Sequence, residues 1–389
     1  MTEDITPPWG QIAGICLATL LVYTGFGVIQ PIFPVWAAAF SDSMTEVGVA
    51  TTLSAGIGLI AARPLAAWLM EGRRRSPTLV AGAVVSAGMA ALLPELETLH
   101  GVFLARAGQG LGFGLVATAA LASVLDLAPP ARRGQVMGYF GASTAVALLI
   151  GPLIGGAVVA RWDMAAAFWV TGGFCLAGTG AVFFLRESAV GGARQGFSFA
   201  AVMEIPGLGR LICVHFMGIL IHGVLLTFLP LRLEGHDGFV QADIFFAIEA
   251  GAVVVLRLGL GRRFDGFDRR LFLVLGLLAL IGAGLGLGFA ESDLGLGLAA
   301  VAYGVGFGLY LPMIYATAGD ITPLATRVRG LAVVLLAFDL AVAGGGVVMG
   351  PVADAFDAAT ALACAAAFPA AALAIVALGG PFVRTPEAH

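Results

Sequence analysis

Twelve apolar runs, each about the length of a bilayer crossing, partition nearly the whole chain. They cover residues 11–38, 47–70, 77–94, 101–127, 135–160, 164–185, 208–231, 241–261, 271–290, 295–318, 330–353 and 358–380. A helix needs about 20 mostly apolar residues to cross the hydrocarbon core. Lipid offers no hydrogen-bond partner to a backbone that is not paired within its own segment. Such a chain is expected to fold as an all-α bundle of twelve transmembrane helices. Composition points the same way: 59% of residues are apolar and 11% charged, where soluble domains carry about 25% charged residues. The 56 glycines suit helices that pack closely in lipid.

The longest connection, 186–207, falls between the sixth and seventh runs and holds Arg186, Gly191, Gly192, Arg194 and Pro206. The expected organisation is a six-helix half over 1–185, a cytoplasmic linker over 186–207 and a second six-helix half over 208–389. The halves read as copies of one unit. A shift of 196 places Gly223 and Pro230 on Gly27 and Pro34, and Gly304, Gly306 and Gly308 on Gly108, Gly110 and Gly112. It also places Arg329 and Gly330 on Arg133 and Gly134, and brings the charged stretch 261–270 beside 72–75. One offset that aligns Gly, Pro and Arg across several runs marks an internal repeat.

Arginine placement orients the bundle. One set of loops holds Arg73, Arg74, Arg75, Arg132, Arg133, Arg186, Arg194, Arg210, Arg262, Arg263, Arg269, Arg270, Arg327 and Arg329, with Arg384 in the tail; the other holds only Arg161 and Arg232. By the positive-inside rule both termini are expected in the cytoplasm, with the protein in a bacterial inner membrane. Glu3 and Asp4 precede the first run without a basic residue, so that run reads as a retained span and not a signal peptide. The four cysteines sit singly in apolar runs and read as small hydrophobes, with neither a disulfide framework nor a metal site. No phosphate-binding G-x-x-x-x-G-K-[ST] loop is present, no cofactor is expected, and energy should come from an ion gradient.

Three local patterns carry a resemblance. The loop after the eighth run has Gly261, Asp265, Arg269 and Arg270 in register with G-x-L-a-D-R-x-G-R-R, and the loop after the second keeps Gly72, Arg73 and Arg74 but has Leu69 at the acidic position. The fourth run reads Arg106-Ala107-Gly108-Gln109-Gly110-Leu111-Gly112, similar to R-x-x-Q-G-x-G. The fifth reads Gly151-Pro152-Leu153-Ile154-Gly155-Gly156, similar to G-P-x-x-G-G, with Gly350-Pro351 as an echo in the eleventh. Together they resemble the major facilitator superfamily, and within it the proton-coupled drug and metabolite exporters. The resemblance implies two pseudo-symmetric halves, alternating access, and a cavity lined by helices other than 3, 6, 9 and 12. It implies gating by Asp265, Arg269, Arg270, Gly72, Arg73 and Arg74, with Asp320 and Arg257 as neighbours. It further implies a kink and close contact at Gly151, Pro152, Gly155, Gly156, Gly350 and Pro351.

Ionisable residues inside a membrane are costly and usually functional. Runs 3, 6, 9 and 12 have none in their interiors, whereas runs 4, 7, 8 and 11 carry Arg106, His215, His222, Glu249, Arg257 and Asp339. Asp339 lies about 14 Å and Glu249 about 12 Å from a helix end at the α-helical rise. A carboxyl group buried away from water is more easily protonated. Asp339, Glu249 and His222 are therefore the candidates for ion coupling. Arg106, Gln30, Gln109, Tyr303 and Tyr310 are candidates for lining a substrate cavity.

The expected protein is a monomeric secondary transporter. It would export a small organic molecule in exchange for protons, or for sodium, and engage lipid but no nucleic acid. Uptake, sugar or metallophore movement on the same fold remains open, as does a non-transporting receptor or assembly role. A membrane enzyme is not expected, since no Ser/His/Asp set or metal-ligand cluster is visible.

Overall fold

The computed structural model describes residues 7–71, 74–129, 132–182, 203–260, 269–323, 326–380 and 382. Among these residues all regular structure is helical. Eleven stretches are long and apolar enough to cross a membrane. The remaining helix of comparable length, Ala242–Leu260, carries Asp243, Glu249 and Arg257 among its residues. The chain is a multi-pass membrane protein. Leu104, Trp68, Trp169, Leu298 and Leu378 stand exposed on helix exteriors, an apolar surface suited to lipid. Cys213 and Cys364 are exposed as well, whereas Cys175 is buried.

Two compact units divide the chain: Met1–Asp42 with Val49–Ala193, and Ser43–Gly48 with Arg194–His389. The first contains α1 (Trp9–Val28), α2 (Phe33–Ala38), α4 (Ser54–Leu69), α5 (Ser76–Leu92), α6 (Leu99–Leu127), α7 (Arg133–Arg161) and α8 (Met164–Val182). The second contains α3 (Met44–Gly48), α9 (Leu208–Leu233), α10 (Ala242–Leu260), α11 (Arg269–Phe289), α12 (Asp293–Ile321), α13 (Arg327–Ala355), α14 (Ala358–Cys364) and α15 (Ala367–Leu378).

The first apolar run is not one helix. Pro31 has no N–H and its ring crowds the preceding turn, so α1 stops at Val28 and the chain turns before Phe33. The second run is also divided. A π-helical turn, Val49–Leu53, separates α3 from α4 at the point where the chain passes between units. By contrast Pro64, Pro152, Pro230, Pro312 and Pro351 all remain inside helices.

The first unit's core gathers Ile12, Ile15, Val22, Leu79, Val116, Ala119 and Val124. In the second, Leu208, Leu211, Val214, Leu277, Tyr310 and Ile314 fill one end, and Val224, Phe228, Phe245, Leu280 and Tyr303 the other. Within the second unit the Asp354 carboxylate accepts hydrogen bonds from the Thr45 amide at 3.2 Å, the Thr45 hydroxyl at 2.6 Å and the Ser43 hydroxyl at 3.2 Å.

Comparing the packing of the two units corrects the repeat register. Helices α6 and α12 are both 29 residues long, as are α7 and α13, and each begins 194 residues after its counterpart. Thr98 caps α6 by accepting from the Gly101 amide, and Ser292 caps α12 by accepting from that of Gly295. A Cβ on Gly110 would strike the Ala55 carbonyl, and one on Gly304 the Glu249 carbonyl. Gly112 lies against Gly82, and Gly306 against Gly276. Only the first helix of each half keeps the shift of 196, with Gly27 against Gly151 and Gly223 against Gly345. The second copy is thus two residues shorter after its first span. Glycine recurs at every second position through 108–114 and 304–308, so the glycines align almost equally well at either offset.

Candidate functional site

In the first unit, α6 carries a buried arginine into an aromatic cradle. Close glycine contacts let α6 lie against α4 and α5: a Cβ at Gly112 would clash with Ser86 and Gly82, and one at Gly114 with Ala62 and Leu59. On this helix Arg106 is 5% exposed. Its guanidinium carbon lies 4.4 Å from the Phe33 ring centroid and 5.1 Å from that of Phe26. Phe26 stacks on Phe113 at 4.4 Å, and Tyr23 leans on the same ring at 4.6 Å. Arg106 Nη1 donates to Gln109 Oε1, while the buried Nε has no acceptor. Among the described residues no carboxylate pairs with Arg106. A desolvated cation–π contact contributes about 2 kcal/mol, whereas burying an ion costs several kcal/mol even after relaxation. The cradle therefore holds a charge that the unit itself only partly compensates.

The second unit fills the matching place differently. His222 takes the place of Phe26, Tyr303 that of Gln109, Phe307 that of Phe113 and Ala300 that of Arg106. His222 Nδ1 lies 2.9 Å from the Tyr303 hydroxyl. The imidazole stacks on Phe307 at 5.1 Å and approaches Phe338 at 6.3 Å. Asp339 follows Phe338 on α13 and is 3% exposed; Glu249 on α10 is 9% exposed. Gly304, the neighbour of Tyr303 on α12, packs against the Glu249 carbonyl. At the 194 register Glu249 corresponds to Ala55 and Asp339 to Ala145, so both buried acids belong to one copy alone.

Further along α9 and α12, Tyr310 is fully buried, with its hydroxyl donating to the Val214 carbonyl at 2.9 Å. It lies against Gly218 and Gly276. That hydroxyl is 3.5 Å from His215 Nδ1, and His215 Nε2 is buried without a partner. This places Tyr310 in the packed interior of its unit. Gln30 sits in the turn after α1, where its backbone N–H donates to the Gly27 carbonyl.

At the arginine-rich end each unit has an ion pair that motif spacing missed. Arg75 pairs with Asp126 in the first, and Arg269 with Asp320 in the second. The two pairs match at 194, so Arg269 corresponds to Arg75 and not to Arg73. Arg270 donates to the carbonyls of Val376 and Ala377, at 3.2 and 3.0 Å, near the end of α15. Arg257 and Arg74 are exposed. Asp265, Gly72 and Arg73 lie outside the described residues.

The close-contact expectation at α7 meets a specific partner: a Cβ on Gly151 would come within 2.8 Å of Gly27 Cα, and one on Gly155 would strike the Val28 carbonyl. Its counterpart in the second unit is Gly345 against Gly223. Gly350 lies instead against Thr45, so Gly350-Pro351 is not the structural echo of Gly151-Pro152. Phe113 and Phe307, absent from the sequence-based candidates, would have aligned with each other at a shift of 194.

A helical membrane unit built twice, with buried charge confined to a few helices, defines a polytopic membrane protein. The sequence profile of the Major Facilitator Superfamily matches residues 15–346, and the chain belongs to that family. Its members are membrane transporters and not enzymes. The chain is 30% identical over 147 residues to the uncharacterized MFS-type transporter YwfA of Bacillus subtilis (strain 168), covering 37% of this chain and 34% of that one. It is 28% identical over 145 residues to the class H tetracycline resistance protein of Pasteurella multocida, covering 36% of each. These matched stretches span about a third of the curated relatives' length. A point mutant of the nucleoside transporter NupG shares the fold with a TM-score of 0.81 at 11% identity, over 95% of this chain and 100% of that one.

Proposed function

We propose that this transporter exports a small organic molecule in exchange for protons, with Asp339 and Glu249 as the groups that carry the proton and the Arg106 cradle as a substrate contact. The observation that carries the reading is the asymmetry of the buried acids. Both sit in the second unit, where the first has Ala145 and Ala55. Scaffold residues recur in both copies of a repeat, whereas coupling and recognition need groups that do not. His222, buried against Tyr303 and Phe307, is the third coupling candidate. Similarity to a tetracycline resistance protein favours export. In this reading the protein is a monomer in a bacterial inner membrane with both termini in the cytoplasm. The arginine-rich loops, including Asp265, Arg269 and Arg270, gate the switch between states.

The test uses everted membrane vesicles under an imposed pH gradient, with tetracycline as the first probe. Asp339→Asn should abolish pH-driven accumulation while leaving membrane insertion and thermal stability intact, and Glu249→Gln should weaken it. Full pH-driven transport in both variants would overturn the assignment. Accumulation that follows a sodium gradient and ignores pH would assign sodium as the coupling ion.

A further inference from the structure

The Arg106 cradle specifies what kind of molecule it can hold. The guanidinium carbon lies over the Phe26 and Phe33 rings at 5.1 and 4.4 Å, and its N–H groups are what it offers to a ligand acceptor. One of these donates to Gln109, and the buried Nε–H has no acceptor. Among the described residues no acid shares the site. A planar two-oxygen acceptor lying in the guanidinium plane is the geometry that arginine pairs with bidentately. One positive charge calls for one negative charge; a dianion would leave excess charge buried. The Phe26, Phe113 and Tyr23 rings continue as an apolar wall from the guanidinium.

We infer that the cradle binds a small organic carboxylate, a monoanion with an aromatic or apolar body. The inference rests on the proposed role of the cradle as a substrate contact and narrows the substrate class. The second unit has no counterpart of this arginine, because Ala300 occupies the equivalent of Arg106.

The experiment uses the full chain, purified in detergent, with benzoate and octanoate as probes. Benzamide, octanamide and inorganic phosphate are the comparisons. Thermal shift and tryptophan fluorescence read binding. Both carboxylates should raise the midpoint saturably, and the neutral amides should bind at least about tenfold more weakly, because they leave the buried charge unpaired. Arg106→Lys keeps the charge but loses the planar fork, and should bind the carboxylates about tenfold more weakly. Arg106→Gln should lose the response. Without ligand it should unfold at a higher temperature than the wild type, since it removes a charge held for function and not for stability.

Equal binding of acid and amide would overturn the proposal. So would benzoate binding retained in Arg106→Gln, tighter binding of phosphate than of either carboxylate, or no saturable carboxylate response. An Arg106→Gln chain less stable than the wild type would make Arg106 a packing residue and would also overturn it. Carboxylate binding through Arg106 without any pH-driven transport would leave this inference standing and remove the exchange reading. Wild-type pH-driven transport of a neutral compound in Arg106→Gln would do the reverse.

Discussion

The imidazole of His222 and the hydroxyl of Tyr303 meet at 2.9 Å, in the place where the other unit sets Phe26 beside Gln109. One copy of the repeat thus puts a titratable hydrogen-bonded pair where the other puts a ring and an amide. The members of such a hydrogen-bonded pair should not be independent. Tyr303→Phe leaves a buried ring nitrogen without its partner, which costs about 1–3 kcal/mol. His222→Phe makes the second unit resemble the first. A double-mutant cycle of the two, read by thermal unfolding, should give a coupling of about 0.5–3 kcal/mol. Strict additivity would show that the two groups do not interact.

The glycine crossings set a second expectation. A Cβ at Gly345 would come within 2.7 Å of Gly223 Cα and closer still to the Leu220 carbonyl. A Cβ at Gly151 would come within 2.8 Å of Gly27 Cα and 2.9 Å of the Thr24 carbonyl. These neighbours are backbone and cannot rotate away. Gly345→Ala and Gly151→Ala should each destabilise by about 1–3 kcal/mol, the usual cost of overpacking. Gly141→Ala, where a Cβ meets nothing within 4 Å, is the control. A control as damaging as Gly345→Ala would reject the crossings as the cause. Pro152→Ala should insert and fold yet transport more slowly.

The paired arginines at one end of each unit should matter little to stability. The side chains of Arg269 and Asp320 remain 41% and 43% exposed, and exposed ion pairs contribute about 0–1 kcal/mol. Asp320→Asn and Arg269→Gln should each lower the unfolding midpoint slightly. The double variant should cost no more than the larger single effect, and high salt should shrink the difference. A loss well above 1 kcal/mol, insensitive to salt, would mark the pair as more than a screened surface contact.

Asp357 supplies a pH-dependent term outside the spans. Its Oδ1 accepts from the Thr360 amide at 2.6 Å and caps α14. That backbone hydrogen bond, followed by one from the Thr360 side chain, holds the carboxyl below its ordinary range. A lowered folded-state pKa adds stability above the unfolded-state value, and that stability is lost as pH falls through the folded-state value. Asp357→Ala should therefore cost about 0.5–2 kcal/mol near neutral pH, the usual range for an N-cap. The gap from wild type should close on acidification. A gap unchanged between neutral and strongly acidic pH would rule out the carboxylate as the cap.

Much of this protein was settled by composition and order alone. Runs of about twenty apolar residues leave the backbone one way to satisfy itself in lipid, so the helical membrane class followed before any contact was known. The recurrence of Gly, Pro and Arg exposed the repeat, and the rarity of buried charge pointed to Arg106, Glu249, Asp339 and His222. Other features depended on which residues meet across helices. The offset of 194 emerged only when Gly110 and Gly304 were seen against equivalent backbone atoms, because alternating glycine aligns with itself at a slip of two. Arg75–Asp126 and Arg269–Asp320 lie 51 residues apart in sequence and share no motif. Nor could the sequence distinguish Tyr310, whose hydroxyl is taken up by a backbone carbonyl, from Tyr303, which faces a histidine. Both are tyrosines on one helix, seven residues apart. The partly compensated charge of Arg106 was equally hidden, since whether an acid comes within reach is decided by packing in three dimensions and not by the order of residues along the chain.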